Sequence, residues 1–370
     1  MRKKIIAAGH ICIDITPVFS TDRQFRNISD LLEPGKLIHM DPADVHTGGS
    51  VANTGLALKL LGMDVQLMGK IGKDSFGAMI QDILSGYGAG GLIVDPESST
   101  SYSVVLAVPG IDRIFLHNPG ANDTFSSADI PEDDLEDAVL FHFGYPPLMK
   151  RIYENNGAEL VSIFSRMKEK GIATSLDLAA VDPDSEAGQA DWENILAAVL
   201  PYTDFFVPSF EELCFMLDRP RYESISARGG DMIQAMDMET DVMPLAHRCL
   251  ELGCKAVLIK CGTRGMYYCT GNTDAMEAVG ARLNLDAEVW TDQKGIQPCF
   301  KSDCVLSGTG AGDTSIAAFL AAVLMGKTPA ECAALAAAEG ACAVTAYDAL
   351  SGLKSLNDLT GRIASGWEII

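Results

Sequence analysis

From about Glu136 onward the chain settles into one rhythm, a short apolar run followed by a helical segment, and this alternation restricts the fold more than any other feature. Ala138 to Phe143, Ala173 to Leu178, Asp204 to Val207 and Ala256 to Lys260 read as strands. Ala158 to Lys170, Trp192 to Leu200, Glu211 to Leu217, Pro244 to Leu252, Asp313 to Leu324 and Pro329 to Thr345 read as helices. Alternation of this kind predicts an α/β fold with a central, mostly parallel sheet flanked by helices on both faces. Ligands of such sheets bind beyond the carboxyl ends of the strands.

The first third is different. Lys4 to Ile15, Lys36 to Met40, Val65 to Ile71, Tyr102 to Val108 and Ile114 to His117 are apolar runs separated by turns, and Pro109-Gly110-Ile111-Asp112 predicts a hairpin between the last two. One helix is expected here, Ser50 to Leu61, stopped by Gly62. Asp218 to Val242 shows no clean period and reads as an insertion or helical loop.

Charge narrows the partners. Lys and Arg number 28 against 50 Asp and Glu, a net charge of −22, which repels nucleic acid and anionic lipid surfaces. Any anionic ligand must therefore be held by a local device. The longest charge-free apolar stretch, Thr314 to Gly326, falls short of the roughly 18 residues of a membrane span. Arg2, Lys3 and Lys4 mimic the start of a signal peptide, but His10 and Asp14 interrupt the apolar run that follows, so a first strand is expected instead. The ten cysteines include no Cys-x-x-Cys pair, which speaks against zinc or a disulfide framework and for a reducing, cytoplasmic compartment. Cys12, Cys261 and Cys342 sit in apolar runs and read as small hydrophobes.

Ser307-Gly308-Thr309-Gly310-Ala311-Gly312-Asp313 runs directly into an apolar helix. Small residues let successive backbone N–H groups turn outward together, and the helix adds its positive end, so this segment suits an anion, phosphate above all. Asp313 stands at the mouth of that hole, where a carboxylate can take the proton of an attacking hydroxyl. Read alone, Asp313 is equally a helix N-cap. Gly48-Gly49-Ser50-Val51-Ala52-Asn53 opens the earlier helix; the glycines allow a polar ligand close to the backbone, and Asn53 both donates and accepts. Asp14, at the end of the first expected strand, can accept from two vicinal hydroxyls.

Together these segments resemble the PfkB family of carbohydrate kinases, the ribokinase-like group. One signature appears as Gly48 to Thr54 with Gly69-Lys70-Ile71-Gly72-Lys73-Asp74-Ser75-Phe76-Gly77 downstream, the other as Gly308 to Thr314. The resemblance implies a single α/β domain over 1–370, a ribokinase-like sandwich with a small β lid contributed by about 12–46 and 98–120. It implies transfer of the γ-phosphoryl of ATP, with Mg²⁺, to a hydroxymethyl group of a sugar or sugar acid. Asp313 corresponds to the catalytic base and Gly310, Ala311 and Gly312 to the anion hole. Asp14, Gly48, Gly49 and Asn53 correspond to sugar contacts, and Lys260-Cys261-Gly262-Thr263-Arg264-Gly265 to the nucleotide-contacting turn.

Two positions depart from the family pattern. Its Asn-x-x-Glu falls on Ser209-Phe210-Glu211-Glu212, which keeps Glu212, the residue that orients a water on Mg²⁺, but puts Ser209 in place of Asn. Ser307 stands where ribokinases carry an Asp that helps hold a monovalent cation. A nucleoside kinase, or a non-catalytic sugar sensor of the same fold, remains open. Many relatives pair through their lids, so a homodimer is expected. Four further residues stay open on sequence: His117 as a substrate contact or a loop histidine, His142 as a core histidine, Asp177 as polar support or a metal-water contact, and Arg264 as a phosphate partner or a solvated cation.

Overall fold

The computed structural model describes residues 3–20, 24–111 and 114–370; Arg2, residues 21–23 of the expected lid and the turn residue Asp112 lie outside them. The strands are β1 (Lys4–Gly9), β2 (Cys12–Phe19), β3 (Met40–Gly48), β4 (Asp64–Met68), β5 (Lys70–Gly72), β6 (Ile93–Asp95), β7 (Tyr102–Leu106), β8 (Ile114–Asn118), β9 (Ala138–Gly144), β10 (Ala173–Leu176), β11 (Phe205–Phe206), β12 (Ala256–Lys260), β13 (Met266–Thr270) and β14 (Lys294–Gln297). Eight of them form the main sheet in the order β14-β13-β12-β11-β10-β9-β1-β4. All neighbours are parallel except at β12–β13 and β13–β14, which are antiparallel.

Because β1 and β9 to β12 are apolar along their length, both faces must be covered, and two separate cores do this. One face packs the helices Ser50–Leu60, Ala311–Leu324 and Pro329–Ala343; the other packs Lys150–Glu169, Trp192–Val199, Phe210–Leu217 and Met243–Glu251. The alanines of the last two helices on the first face let them approach closely, leaving twelve of the fourteen residues of Ala311–Leu324 buried. The carboxyl ends of β1, β9, β10 and β12 then place His10, Tyr145, Asp177 and Lys260 along one rim.

The expected single run Lys4 to Ile15 is two strands. His10 N donates to the Gly144 carbonyl (3.2 Å), closing β1 at its end, and the chain crosses into a second sheet ordered β3-β2-β7-β8. Asp14 therefore belongs to this second sheet rather than to the end of the first strand. Val65 to Ile71 is likewise split at Gly69, with β5 pairing β6 elsewhere. The expected strand over Lys36 to Met40 is replaced by β3, an edge strand exposed along most of its length, so no apolar alternation marks it. Tyr102–Leu106 and Ile114–Asn118 pair antiparallel as expected. Asp218 to Val242 forms two short helices, Arg219–Ser226 and Met232–Ala235, and one π turn; Arg221 ties them together by bonding Asp218 and Asp241, each at 2.9 Å.

Candidate active site

The glycine-rich turn is built by short-range bonds. Ser307 Oγ lies 3.0 Å from Thr309 Oγ1 and accepts from Thr309 N at 3.1 Å. Gly310 caps the helix with φ 73°, and a Cβ there would run into Ala349, so no other residue fits. The first turn of Ala311–Leu324 leaves its N–H groups without intrahelical acceptors; Ala311 N donates back to the Gly308 carbonyl (3.3 Å).

Asp313 is the third residue of this helix, and its side chain does not cap it. The carboxylate is 4% exposed and accepts three hydrogen bonds: Thr54 Oγ1 to Oδ1 (3.0 Å), Asn53 Nδ2 to Oδ2 (3.1 Å) and Tyr145 Oη to Oδ2 (2.8 Å). Burial pushes its pKa above the ordinary aspartate value, against the opposing pull of Tyr145, Lys260, Asn53 and Thr54. Burial thus favours the protonated form of this carboxyl more than water does, while its hydrogen bonds and Lys260 favour the charged one.

Lys260 ends β12 and forms an ion pair with Asp177 (2.8 Å), so Asp177 supports a cation at this rim. Burial pushes Asp177 up to about 7, with Lys260 pulling the other way. Burial also works against the Lys260 charge, but Asp177, Glu212 and Asp313 outweigh it and raise its pKa. A Cβ on Gly312 would stand 3.6 Å from Lys260 Nζ, so the ammonium lies beside the same helix start. Ser209 caps Phe210–Leu217 in a reciprocal box, and its N–H donates to Glu212 (3.0 Å). The substitution of Asn by Ser thus keeps a good helix cap, and Glu212 still lines the cavity. Thr263 accepts from Gln234 (2.9 Å), and Ile233 approaches Gly262, so the Asp218 to Val242 segment walls this turn. Arg264 donates to the Met236 carbonyl, on the segment side of the turn.

A cavity of about 990 Å³ opens between the rim and the second sheet. Asp14, Gly49, Asn53 and Asp313 line it, together with His10, Cys12, Ser103, His117 and Tyr145, which sequence reasoning did not assign or left open. Cys12 is not a mere hydrophobe, since its Sγ donates to Asp14 (3.3 Å). Burial raises the Asp14 pKa. Gly48 makes room for Asp14, because a Cβ there would run into the Asp14 carboxylate. Asn53 spends a donor on Asp313. His117 bonds Ser103 (3.0 Å) and sits 5.3 Å, ring to ring, from His10. His142 is a core residue between Ser50 and Ser175, as expected.

A buried carboxylate on the first turn of a helix, a lysine beside that turn and an open cleft at the strand ends suit phosphoryl transfer to an alcohol, and the relatives of the chain are phosphotransferases of that class. The chain belongs to the pfkB family carbohydrate kinases, whose profile matches residues 3–356. It is 25% identical over 299 residues to an uncharacterised sugar kinase of Archaeoglobus fulgidus, covering 80% of this chain and 98% of that protein. Two solved structures share the ribokinase fold. Ribokinase of Arabidopsis thaliana, complexed with ribose and ATP, matches at TM-score 0.70 with 20% identity over 98% of both chains. A nucleoside kinase of Methanocaldococcus jannaschii matches at TM-score 0.66 with 18% identity, again over 98% of both.

Proposed function

We propose that this chain transfers the γ-phosphoryl of ATP to a hydroxymethyl group of a neutral sugar. The observation that carries the reading is that Asp14, on the second sheet, and Asp313, on the first turn of a helix packed against the main sheet, face one cavity, with the anion-binding turn at the Asp313 end. Asp14 accepts hydrogen bonds from adjacent hydroxyls, and the reacting hydroxyl lies against Asp313. As its oxygen bonds to the γ-phosphorus, its proton passes to Asp313 and the bond to the bridging oxygen breaks, the electron pair leaving on ADP. The N–H groups of Gly312 and Asp313, with Lys260, hold the charge on the transferred group, while the Ala311 N–H, which donates to the Gly308 carbonyl (3.3 Å), closes the turn. The Lys260 to Gly265 turn, including Gly262 and Thr263, and Ser209 border the nucleotide.

A sugar acid is disfavoured by the cavity. The lysine lining it, Lys150, is tied to Glu186 at 2.6 Å. Burial pushes His10 down to about 3 and lowers His117, so both imidazoles are neutral. One observation favours a second reading, a nucleoside acceptor: Pro147, Leu148, Tyr153 and Val181 also line the cavity and offer apolar surface to a base. ADP release measured over a panel of ribose, fructose, a sugar acid, adenosine and inosine decides. A sugar acid as best substrate would sink the neutral-sugar reading, and a nucleoside as best substrate would replace it.

Mg²⁺ fits as a nucleotide-borne ion. No group of three or more His, Cys, Asp or Glu placed to hold a metal ion exists among the described residues, and an ion held mainly by phosphates and water needs none. Glu212, on the cavity wall, would hold it through a water, and the ion would neutralise phosphate charge. Glu212→Gln should raise the Mg²⁺ concentration for half-maximal rate severalfold; an unchanged requirement removes Glu212 from the site. We further propose that the second sheet is the lid and that two copies pair through it, because Val18 and Leu116 are exposed there and β3 and β8 are open edges. A monomer by light scattering, with full activity, would refute that. No helix among the described residues is long and apolar enough to cross a membrane, and the cysteine usage supports a cytoplasmic setting.

A further inference from the structure

Tyr145 stands out by its backbone. It adopts φ 64° and ψ 43°, a left-handed conformation that a residue with a Cβ seldom takes unless its surroundings impose it. The imposition is visible on both sides. The preceding Gly144 carbonyl accepts from His10 N (3.2 Å), and the Tyr145 carbonyl accepts from Leu148 N (3.0 Å) just after Pro146. The turn carries the phenol across the cavity wall, where its ring centroid is 6.2 Å from that of His10 and its hydroxyl donates to Asp313 Oδ2 at 2.8 Å.

That position has a chemical meaning. An acceptor hydroxyl must come within roughly 2.6 to 3.2 Å of the base that deprotonates it. Tyr145 presents a hydroxyl at this range from the cavity side, while Thr54, fully buried, holds Oδ1 from within. Asn53 and Tyr145 together occupy both in-plane lone pairs of Oδ2. Burial and the neighbouring carboxylates keep the phenol protonated, so it bonds the base without competing as a nucleophile.

We infer that the Tyr145 hydroxyl is a stand-in for the acceptor hydroxyl, filling its place on Asp313 until the acceptor displaces it and so denying that place to water. The inference rests on Asp313 being the base. Without the stand-in, a water oxygen attacks the γ-phosphorus, its proton passes to Asp313, the bond to the bridging oxygen breaks with its electrons on ADP, and ATP is hydrolysed to no purpose.

The test is ADP release by the full chain with Mg-ATP alone and with the best acceptor of the panel. In Tyr145→Phe, which keeps the ring, acceptor-free ADP release should rise about tenfold or more while transfer falls by less, so the ratio of hydrolysis to transfer increases. Tyr145→Leu should show the same rise, and adding Asp313→Asn to either should abolish it. If acceptor-free release is unchanged in both variants while Asp313→Asn stops transfer, the stand-in is overturned and the base survives. If Asp313→Asn transfers normally, both fall. A rise in the Leu variant alone assigns the effect to lost packing and also overturns the stand-in.

Discussion

Asp313→Asn should lower turnover by a factor on the order of 10² to 10⁴ while changing the affinities for ATP and acceptor only a few-fold. The amide is nearly the same shape and can still accept from Thr54, but it cannot take a proton. The three donors around the carboxylate make this a demanding test of the assignment, because they would equally suit a purely structural aspartate. A structural role predicts loss of folded protein with turnover per folded molecule intact. A folded variant with near-normal turnover would therefore remove Asp313 from the chemistry. The pH dependence carries a second sign. Since burial raises the Asp313 pKa, the base is ionised only above the usual aspartate range, and kcat/KM should fall as pH drops through that raised value. An acid limb at the ordinary aspartate pKa would contradict the environment described.

Asp14→Ala should cost on the order of 2 to 4 kcal/mol in kcat/KM for the best acceptor, because charge-assisted hydrogen bonds are lost and substrate hydroxyls are left unpaired. ATP affinity should barely change, as Asp14 sits on β2 in the second sheet while the glycine-rich turn lies on the main body. The structure adds a control. Gly48 is shaped around the Asp14 carboxylate, so Gly48→Ala should injure acceptor binding through Asp14 rather than by blocking the ligand. If Asp14→Ala leaves kcat/KM of the best acceptor untouched, the acceptor lies elsewhere in the cavity.

Much of this was legible in the residues. Apolar strands buried on both faces announce themselves by composition, so β9, β10 and β12 fell where the runs stand, and the glycine-rich run before Asp313 marked a turn that opens a helix. What stayed hidden depends on long-range geometry. β3 owes its strand to pairing with β2, and its polar sequence MDPADVHTG carries no period to read. Asp177 and Lys260 are 83 positions apart, and only the adjacency of strand ends makes them a pair. His10 and Tyr145 were missed because nothing local distinguishes a histidine after a glycine, or a tyrosine before two prolines, from ordinary loop residues. The nearest signal was positional: both directly follow a buried strand that ends in glycine, on the rim where ligands of such sheets collect.

The break at the end of β1 has one more consequence. Within a few residues the chain leaves the main sheet at Gly9 and enters the second sheet at Cys12, so Asp14 and Asp313 are mounted on different slabs joined here by a short strap. A molecule gripped by both carboxylates is measured end to end, as between the jaws of a caliper. Its length, from the hydroxyls at one jaw to the reacting hydroxyl at the other, becomes a criterion separate from the chemistry of either end. A polyol one carbon shorter can satisfy one jaw but not both, and selectivity of this kind should change when Ile11 of the strap is exchanged, although Ile11 does not line the cavity.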